Sequence, residues 1–411
     1  MSFTHKPLGR EQIRLLKPVR GINDRNLRFD VSHFLRDNAP PYTAVSYTWG
    51  DSAATETLRL NGHEYSVRPN LWSCLYYLAH HLMHGIRDAH MSRVEFLWVD
   101  AICIDQTNDS ERNLNVRAMD MIYRNAAHVS VWLGLSPFPS SDSHITILPS
   151  ESITTYDDDS FRWDDAMREI ANRPYWSRFW VIQELLLARN IIIYCSGNGI
   201  TFEDFRDFLG EETKLDLYSE PVYPKSDIGS VTNQYRAVPL VLGRQDNQYP
   251  ERLQPLHELI VRHRHSQCKD LRDRVFALLG LIPLDEKAFL VRFFPNYSLS
   301  ERRVVIITLA HLREFSHLDI TVDSDELFEG LGVVARNPRT ELLRRAERVE
   351  DIYLSEMAPS FAEAWRIEDQ VEDFEHEIGQ AQDESRSGEE LEWEKMAKAM
   401  YAPRTSRCVV L

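Results

Sequence analysis

The chain has no cluster of lysines and arginines, no long apolar run and no closely paired cysteines, and each absence removes a class of function. Its formal net charge is −16, which repels a polyphosphate. No basic block supplies local phosphate contacts against that field, so nucleic acid is excluded as a partner. The five cysteines, Cys74, Cys103, Cys195, Cys268 and Cys408, are scattered, odd in number and never spaced as Cys-x-x-Cys. That pattern argues against a disulfide framework and a zinc site, and for a reducing compartment. No window approaches the roughly 18 uninterrupted apolar residues of a membrane span, and the residues before Arg20 hold no stretch of signal-peptide type. A soluble protein of the cytoplasm is the expectation. Against these absences stand 411 residues, 43% hydrophobic and 27% charged, enough for two or three globular domains with cores of their own.

Hydrophobic periodicity places strands and helices in alternation. Residues 12–16 read as a short strand, an irregular polar stretch follows, and residues 42–49 have the pattern of a buried strand ending at Gly50-Asp51. Asn61-Gly62, between two β-type runs at 57–60 and 64–67, predicts a hairpin, because both turn positions want positive φ. Asn70 stands where it would cap a helix running to about Met83, and residues 95–99 form a compact strand with Asp100 at its far end. A helix starting at Asp109 or Ser110 carries Val116, Met119, Ile122 and Tyr123 on one side and leads into a strand at 129–133, stopped by Gly134. Residues 135–160, rich in Ser, Pro and Asp, predict a long surface loop. Helices are expected at 162–172 and 179–188, then a strand at 191–194.

This alternation predicts an α/β layer with a parallel sheet. After about residue 200 helical patterns dominate, at 203–209, 256–263, 272–281 and 301–315, with a polar linker near 219–250. From Ala362 to Lys398 the chain is dense in Glu and Asp, which predicts an exposed helix or a disordered tail. The expected organisation is an α/β domain over 1–200, a helical region over 201–355 and an acidic tail over 356–411.

Several blocks follow one another in a particular order. They are Tyr42-Thr-Ala-Val-Ser-Tyr-Thr-Trp-Gly-Asp51, Leu97-Trp-Val-Asp-Ala-Ile-Cys-Ile-Asp-Gln106, Glu111-Arg112, Met121-Ile-Tyr-Arg-Asn-Ala-Ala127, Val131-Trp-Leu-Gly134 and Tyr175-Trp-Ser-Arg-Phe-Trp-Val-Ile-Gln-Glu-Leu185. The series resembles the fungal heterokaryon-incompatibility (HET) domain, over about residues 10–200. It departs from that family in having Asp105 where Asn is usual and Asn115 where Gln is common. Two later stretches, Asp270-Leu-Arg-Asp-Arg-Val-Phe-Ala-Leu-Leu-Gly-Leu-Ile282 and Phe294-Pro-Asn-Tyr297, resemble segments that commonly follow this domain. The run Trp180-Val-Ile-Gln-Glu-Leu185 is also similar to a motif of Toll/interleukin-receptor (TIR) domains, whose glutamate is catalytic in members that cleave NAD.

The resemblance implies a TIR-like, flavodoxin-like fold: a mostly parallel sheet flanked by helices, with a mainly helical C-terminal region. It implies a role in non-self recognition, innate immunity and regulated cell death, exerted either by cleaving NAD or by self-association of a signalling module. It points to Glu184 as the catalytic residue. NAD would be substrate, with no cofactor, and an unknown protein partner would be needed to sense non-self.

The chemistry suits a single acid. Breaking the bond from ribose to nicotinamide passes through an oxocarbenium-like state, and a carboxylate near the sugar gains attraction as positive charge moves onto the ring. Nicotinamide is cationic in NAD and leaves neutral, so no second carboxyl is needed to protonate it. In a parallel sheet ligands gather beyond the carboxyl ends of the strands. There Ser46, Trp49, Gly50, Asp51 and Asp100 are the candidate ligand-binding residues: Gly50 for close backbone approach, Trp49 for stacking, the two aspartates for ribose hydroxyls.

Each candidate also has a plainer role. Glu184 would serve equally as a structural carboxylate paired with Arg178, and Asp100 as a cap of the next turn. Trp49, Trp98, Trp132, Trp176 and Trp180 are expected chiefly to pack the core. Cys103, between Ile102 and Ile104, reads as a buried inert thiol. Neither His80, His81 and His84 nor His257, His263 and His265 with Cys268 has a metal-ligand pattern. The ending Cys408-Val-Val-Leu411 fits a prenylation signal, with a weak basic flank in Arg404 and Arg407, and predicts reversible membrane attachment.

Overall fold

A computed structural model describes residues 2–21, 26–50, 55–84, 94–135, 146–147, 159–196, 198–218, 235–244 and 253–355. Asp51, most of the expected 135–160 loop and 219–250 linker, the acidic tail and Cys408 lie outside the described residues. The chain divides into two compact units, Met1–Leu253 and Gln254–Leu411.

The first unit is built on one sheet. Its strands are β1 (Gln12–Pro18), β2 (Arg28–Leu35), β3 (Tyr42–Tyr47), β4 (Glu56–Leu60), β5 (His63–Val67), β6 (Phe96–Trp98), β7 (His128–Trp132), β8 (Thr146–Ile147), β9 (Ile191–Cys195) and β10 (Asn198–Thr201). Their spatial order is β5-β4-β2-β1-β6-β3-β7-β9-β10-β8. The helices of this unit are α1 (Pro69–His84), α2 (Asp100–Cys103), α3 (Asp109–Asn125), α4 (Asp159–Ala171), α5 (Phe179–Leu186), α6 (Phe202–Tyr218) and α7 (Val238–Val241).

The central strands β6, β3, β7 and β9 are mutually parallel. Taken in chain order they lie 2-1-3-4, an arrangement used by doubly wound sheets, with helical crossovers between them. All six residues of β3 are buried, as a strand covered on both faces must be. The whole sheet, however, is mixed rather than mostly parallel, and short connections are the reason. Strands joined by a tight turn can only return antiparallel. Asn61 and Gly62, with φ of 50° and 83°, join β4 to β5 antiparallel, and β9 returns as β10 in the same sense. β1 runs antiparallel to both its neighbours.

Two further expectations are corrected. The stretch read as irregular and polar contains β2, which pairs with β1 along its full length from Gln12↔Leu35 to Pro18↔Phe29. Only Phe29 of β2 is fully buried, so its hydrophobic alternation is faint and long-range pairing decides its structure. Asn70 is not the cap of α1. The carbonyl of Arg68 accepts the first helical bond from Trp72, Pro69 takes the first helical position, and the Asn70 amide is spent elsewhere.

Beneath the sheet a buried ion pair ties distant segments together. Arg14 on β1 donates to both carboxylate oxygens of Glu111 at 2.5 and 2.9 Å, to the Cys103 carbonyl at 2.8 Å and to His33 Nε2 at 3.0 Å. Glu111, in the first turn of α3, also accepts from the Asp105 N–H at 2.8 Å. Burial alone would raise the Glu111 carboxyl. The bonds from Arg14 and Asp105 more than cancel it, and its pKa lies below the usual carboxylate value.

The second unit is helical: α8 (Leu256–Arg262), α9 (Asp273–Phe276), α10 (Leu284–Leu290), α11 (Glu301–Ser316), α12 (Asp325–Gly330) and α13 (Asn337–Ser355). The helix expected over 272–281 is the single turn α9 followed by further turns. The two later sequence blocks meet here. Arg272 donates to the carbonyls of Tyr297 and Leu299, each at 2.7 Å, and the Tyr297 hydroxyl donates to Asp273 at 2.6 Å. No helix among the described residues is long and apolar enough to cross a membrane.

Removing one partner of the buried pair strands the other charge. Arg14→Met is expected to destabilise the first unit by about 3–5 kcal/mol. Urea unfolding followed by tryptophan fluorescence checks it, because Trp98, Trp132 and Trp176 are all fully buried in this unit. A midpoint within error of wild type would refute the assignment.

Candidate functional site

β3 delivers Ser46 and Tyr47 to the carboxyl end of the central sheet, and the residues that follow build outward from them. α5 is apolar nearly all round: Phe179, Val181, Ile182, Leu185 and Leu186 are buried together with Gln183 and Glu184. A helix of that composition is drawn wholly into the interior, and it carries Glu184, 5% exposed, with it. The Ser46 hydroxyl donates to Glu184 Oε2. The Tyr175 hydroxyl lies 2.5 Å from Ser46 Oγ. Tyr175 sits in a 3-10 turn over Pro174–Ser177, and the residue before that turn, Arg173, is fixed by its bonds to Glu169 and to the Leu133 and Leu135 carbonyls beyond β7.

The neighbouring acid is Asp100, at the end of β6. It accepts from the Trp49 indole at 3.1 Å and from the Ala101 N–H at 2.7 Å, and Tyr47 also bonds to it. The 47–50 segment is held from three sides. Arg178 donates to the Tyr47 carbonyl. Asn70 donates to the Thr48 carbonyl at 2.6 Å while accepting from the Trp132 indole at 2.9 Å. Arg68 lies over the Trp49 ring at 5.1 Å and donates to the Gly50 carbonyl at 3.0 Å. Gly50 has φ +69°, a conformation glycine adopts at little cost.

Two carboxyl groups and one guanidinium thus share a largely enclosed polar cluster. Burial raises the Glu184 pKa to about 7, and the charge of Asp100 pushes the same way. The charge of Arg178 and the bond from Ser46 oppose the shift without overcoming it. Asp100 is likewise raised by burial, against Arg178 and the donors Trp49, Ala101 and Tyr47. Near neutrality Glu184 is therefore close to half ionised, the balance suited to a general acid or base.

Of the residues singled out from sequence, Ser46, Trp49, Gly50, Asp100 and Glu184 come together at one end of the strands. Their parts differ. Ser46, 1% exposed, holds Glu184, whereas Trp49, 37% exposed, departs from the expected core packing that Trp98, Trp132 and Trp176 follow. Tyr47, Tyr123 and Tyr175 were not anticipated. All three stand inside the quoted sequence blocks, but only the fold turns their hydroxyls toward the two acids. Cys103 is fully buried, accepts from the Val99 N–H at 3.3 Å and has its thiol pushed up to about 12 by burial, which makes it an unreactive core residue. Among the described residues no group of three or more His, Cys, Asp or Glu side chains is arranged to hold a metal. A cleft of about 690 Å³ lies at the opposite, amino end of the strands, against Tyr42, His128 and Asn190.

Residues 42–184 match the profile of the family described as heterokaryon incompatibility protein (HET). That span runs from the first residue of β3 to Glu184 itself, so the HET domain in this chain takes in the central strands and α5 as far as Glu184. Heterokaryon incompatibility protein 6, OR allele, of Neurospora crassa is 27% identical over 296 aligned residues, covering 59% of this chain and 43% of that protein. The chain thus spans less than half the length of this relative. No solved structure matches the chain.

The raised pKa has a consequence for stability. The native state keeps a proton on Glu184 that the unfolded chain releases above its ordinary value of 4.5. Stability is therefore lost as pH rises from about 4.5 through about 7, by about 3 kcal/mol in all. Glu184→Gln removes this dependence. The difference in unfolding free energy should move in the variant's favour by that amount between pH 4.5 and 8, and parallel pH profiles for the two proteins would refute it.

Proposed function

We propose that the protein is an effector of fungal non-self recognition and cell death, and that its HET domain cleaves the nicotinamide–ribose bond of NAD through Glu184. The observation that carries the catalytic part is the Glu184 carboxyl, fixed by the Ser46 hydroxyl at the carboxyl end of the central parallel strand. The family match and the incompatibility relative support the biological part. The 2-1-3-4 order of the central strands and the Trp180 to Leu185 motif support a TIR-like reading of the domain.

In this reading the ribose approaches the cluster past Trp49 and Arg178, the partly exposed members of its wall. Ionised Glu184 attracts the positive charge that develops on the ring, and this attraction is stronger in the transition state than in the bound substrate. Nicotinamide leaves as a neutral base with the electrons of the broken bond, and water adds to the sugar carbon and releases a proton. Ser46 and Tyr175 position the carboxylate, and Asp100 and Trp49 bind the substrate's hydroxyls and ring. The sensing of non-self falls to a partner protein.

Purified protein incubated with NAD, dilute and in concentrated or forced assemblies, is expected to release nicotinamide. Activity should rise with pH through about 7 as Glu184 loses its proton. Glu184→Gln should lower the rate by about 10²–10³-fold, the scale on which one electrostatic contact to a transition state acts. Release unaffected by that substitution overturns the assignment of Glu184. No release in any assembled state overturns the enzyme, and leaves the domain as a non-enzymatic module that signals by self-association.

A further inference from the structure

The amino ends of β3, β7 and β9 open on the cleft of about 690 Å³, at the end of the sheet away from Glu184. Its volume falls within the roughly 300–1,000 Å³ of small-molecule sites. Three separate segments line it: residues between Arg36 and Tyr42 before and at the start of β3, Asn125 to His128 at the end of α3 and the start of β7, and Arg189 with Asn190 before β9. Its floor includes His128, 7% exposed. Among the described residues neither ring nitrogen of His128 has a hydrogen-bond partner, and neither is open to solvent, so a ligand reaches them only as the lining yields. Leaving such a group unbonded in the interior costs about 1–3 kcal/mol, and a ligand able to bond it recovers that loss.

The charge around the cleft decides what kind of ligand fits. Arg36 and Arg189 both border it. Neither makes an ion pair among the described residues, and the only side-chain bond of Arg36 there goes to the Arg10 carbonyl. Asp37 is the one acidic side chain of the lining. The carboxyl end of α3 at Asn125 adds about half a negative charge, so the two guanidiniums leave the cleft net positive on a chain of strongly negative charge. Burial lowers the His128 pKa, so its ring is neutral near pH 7 and offers one donor and one acceptor. Asn190 holds the floor by donating to the Ala127 carbonyl at 2.9 Å.

We infer that this cleft is a second ligand site, for an organic phosphate of nucleotide size whose anion lies between Arg36 and Arg189 and whose uncharged part hydrogen-bonds to His128. The site is independent of the chemistry proposed for Glu184. It would let the domain respond to a metabolite that it does not consume.

AMP, adenosine and inorganic phosphate serve as probes in calorimetric titration and thermal-shift measurements on the full chain. AMP should bind saturably and raise the unfolding temperature, with adenosine and phosphate each weaker by about tenfold or more. Arg189→Glu, at an exposed position, should lose AMP binding by at least that factor. His128→Phe should lose it too while leaving the ligand-free protein as stable as wild type or more so, because an unbonded buried imidazole is replaced by an apolar ring. Glu184→Gln should bind AMP as wild type does. The inference is overturned if AMP gives no saturable signal, if adenosine or phosphate alone matches it, or if Arg189→Glu leaves binding intact. It is equally overturned if binding disappears with Glu184→Gln, which would move the ligand to the other end of the sheet. Should His128→Phe fail to fold, the Arg189 and Glu184 variants still decide the matter.

Discussion

The Arg14–Glu111 pair is the contact on which the site end of the first unit rests. The two residues lie 97 positions apart, and between them they hold the 100–106 segment just after α2, through the Cys103 carbonyl and the Asp105 N–H. That segment begins with Asp100, the first residue of α2, and Asp100 in turn anchors the Trp49 indole. Taking two charges out of water is costly, and only a full set of hydrogen bonds offsets the cost. Here the guanidinium is engaged by a bidentate carboxylate, two backbone carbonyls and a histidine. The tolerance for error in this arrangement is small, which makes the geometry around Asp100 well defined.

The polar cluster at the other side of β3 follows a different logic. Glu184 is buried with hydroxyl neighbours and an opposing acid, and Arg178 only partly offsets the cost of enclosing it. A leucine in its place would suit the apolar surroundings of α5 better on energetic grounds alone. Retaining an acid whose proton comes off near neutrality is a stability cost that chemistry at this position would explain. The enclosure also concentrates the field of the carboxylate, since low-dielectric walls weaken charge less than water does.

Local signals carried much of this structure in the sequence. The Asn61-Gly62 turn, the strands around Val45, Leu97, Val131 and Ile193, and the amphipathic α3 were all readable from periodicity and turn chemistry. Glu184 was singled out by a resemblance, and its position on a buried helix was visible in the apolar residues around it. What could not be read is everything that depends on pairing across long separations. β2 lacks a clear alternation and exists because β1 pairs with it. The bond from Ser46 to Glu184 spans 138 positions, and no spacing rule reaches that far. Asn70 looked like a cap because its residue type favours caps, but Thr48 and Trp132 compete for the same amide and win. The amino-end cleft is drawn from short pieces whose composition, taken singly, is that of ordinary loops.

One small residue links the two ends of the sheet. Side chains two apart on a strand share a face, so Tyr42, Ala44 and Ser46 stand in line on β3, the first bordering the cleft and the last holding Glu184. Ala44 in the middle is fully buried between parallel neighbours. Interiors packed this densely pass a displacement on instead of absorbing it. The methyl group at the midpoint has no free space around it, so a larger side chain at Ala44 would have to displace the neighbours that hold both ends of the strand.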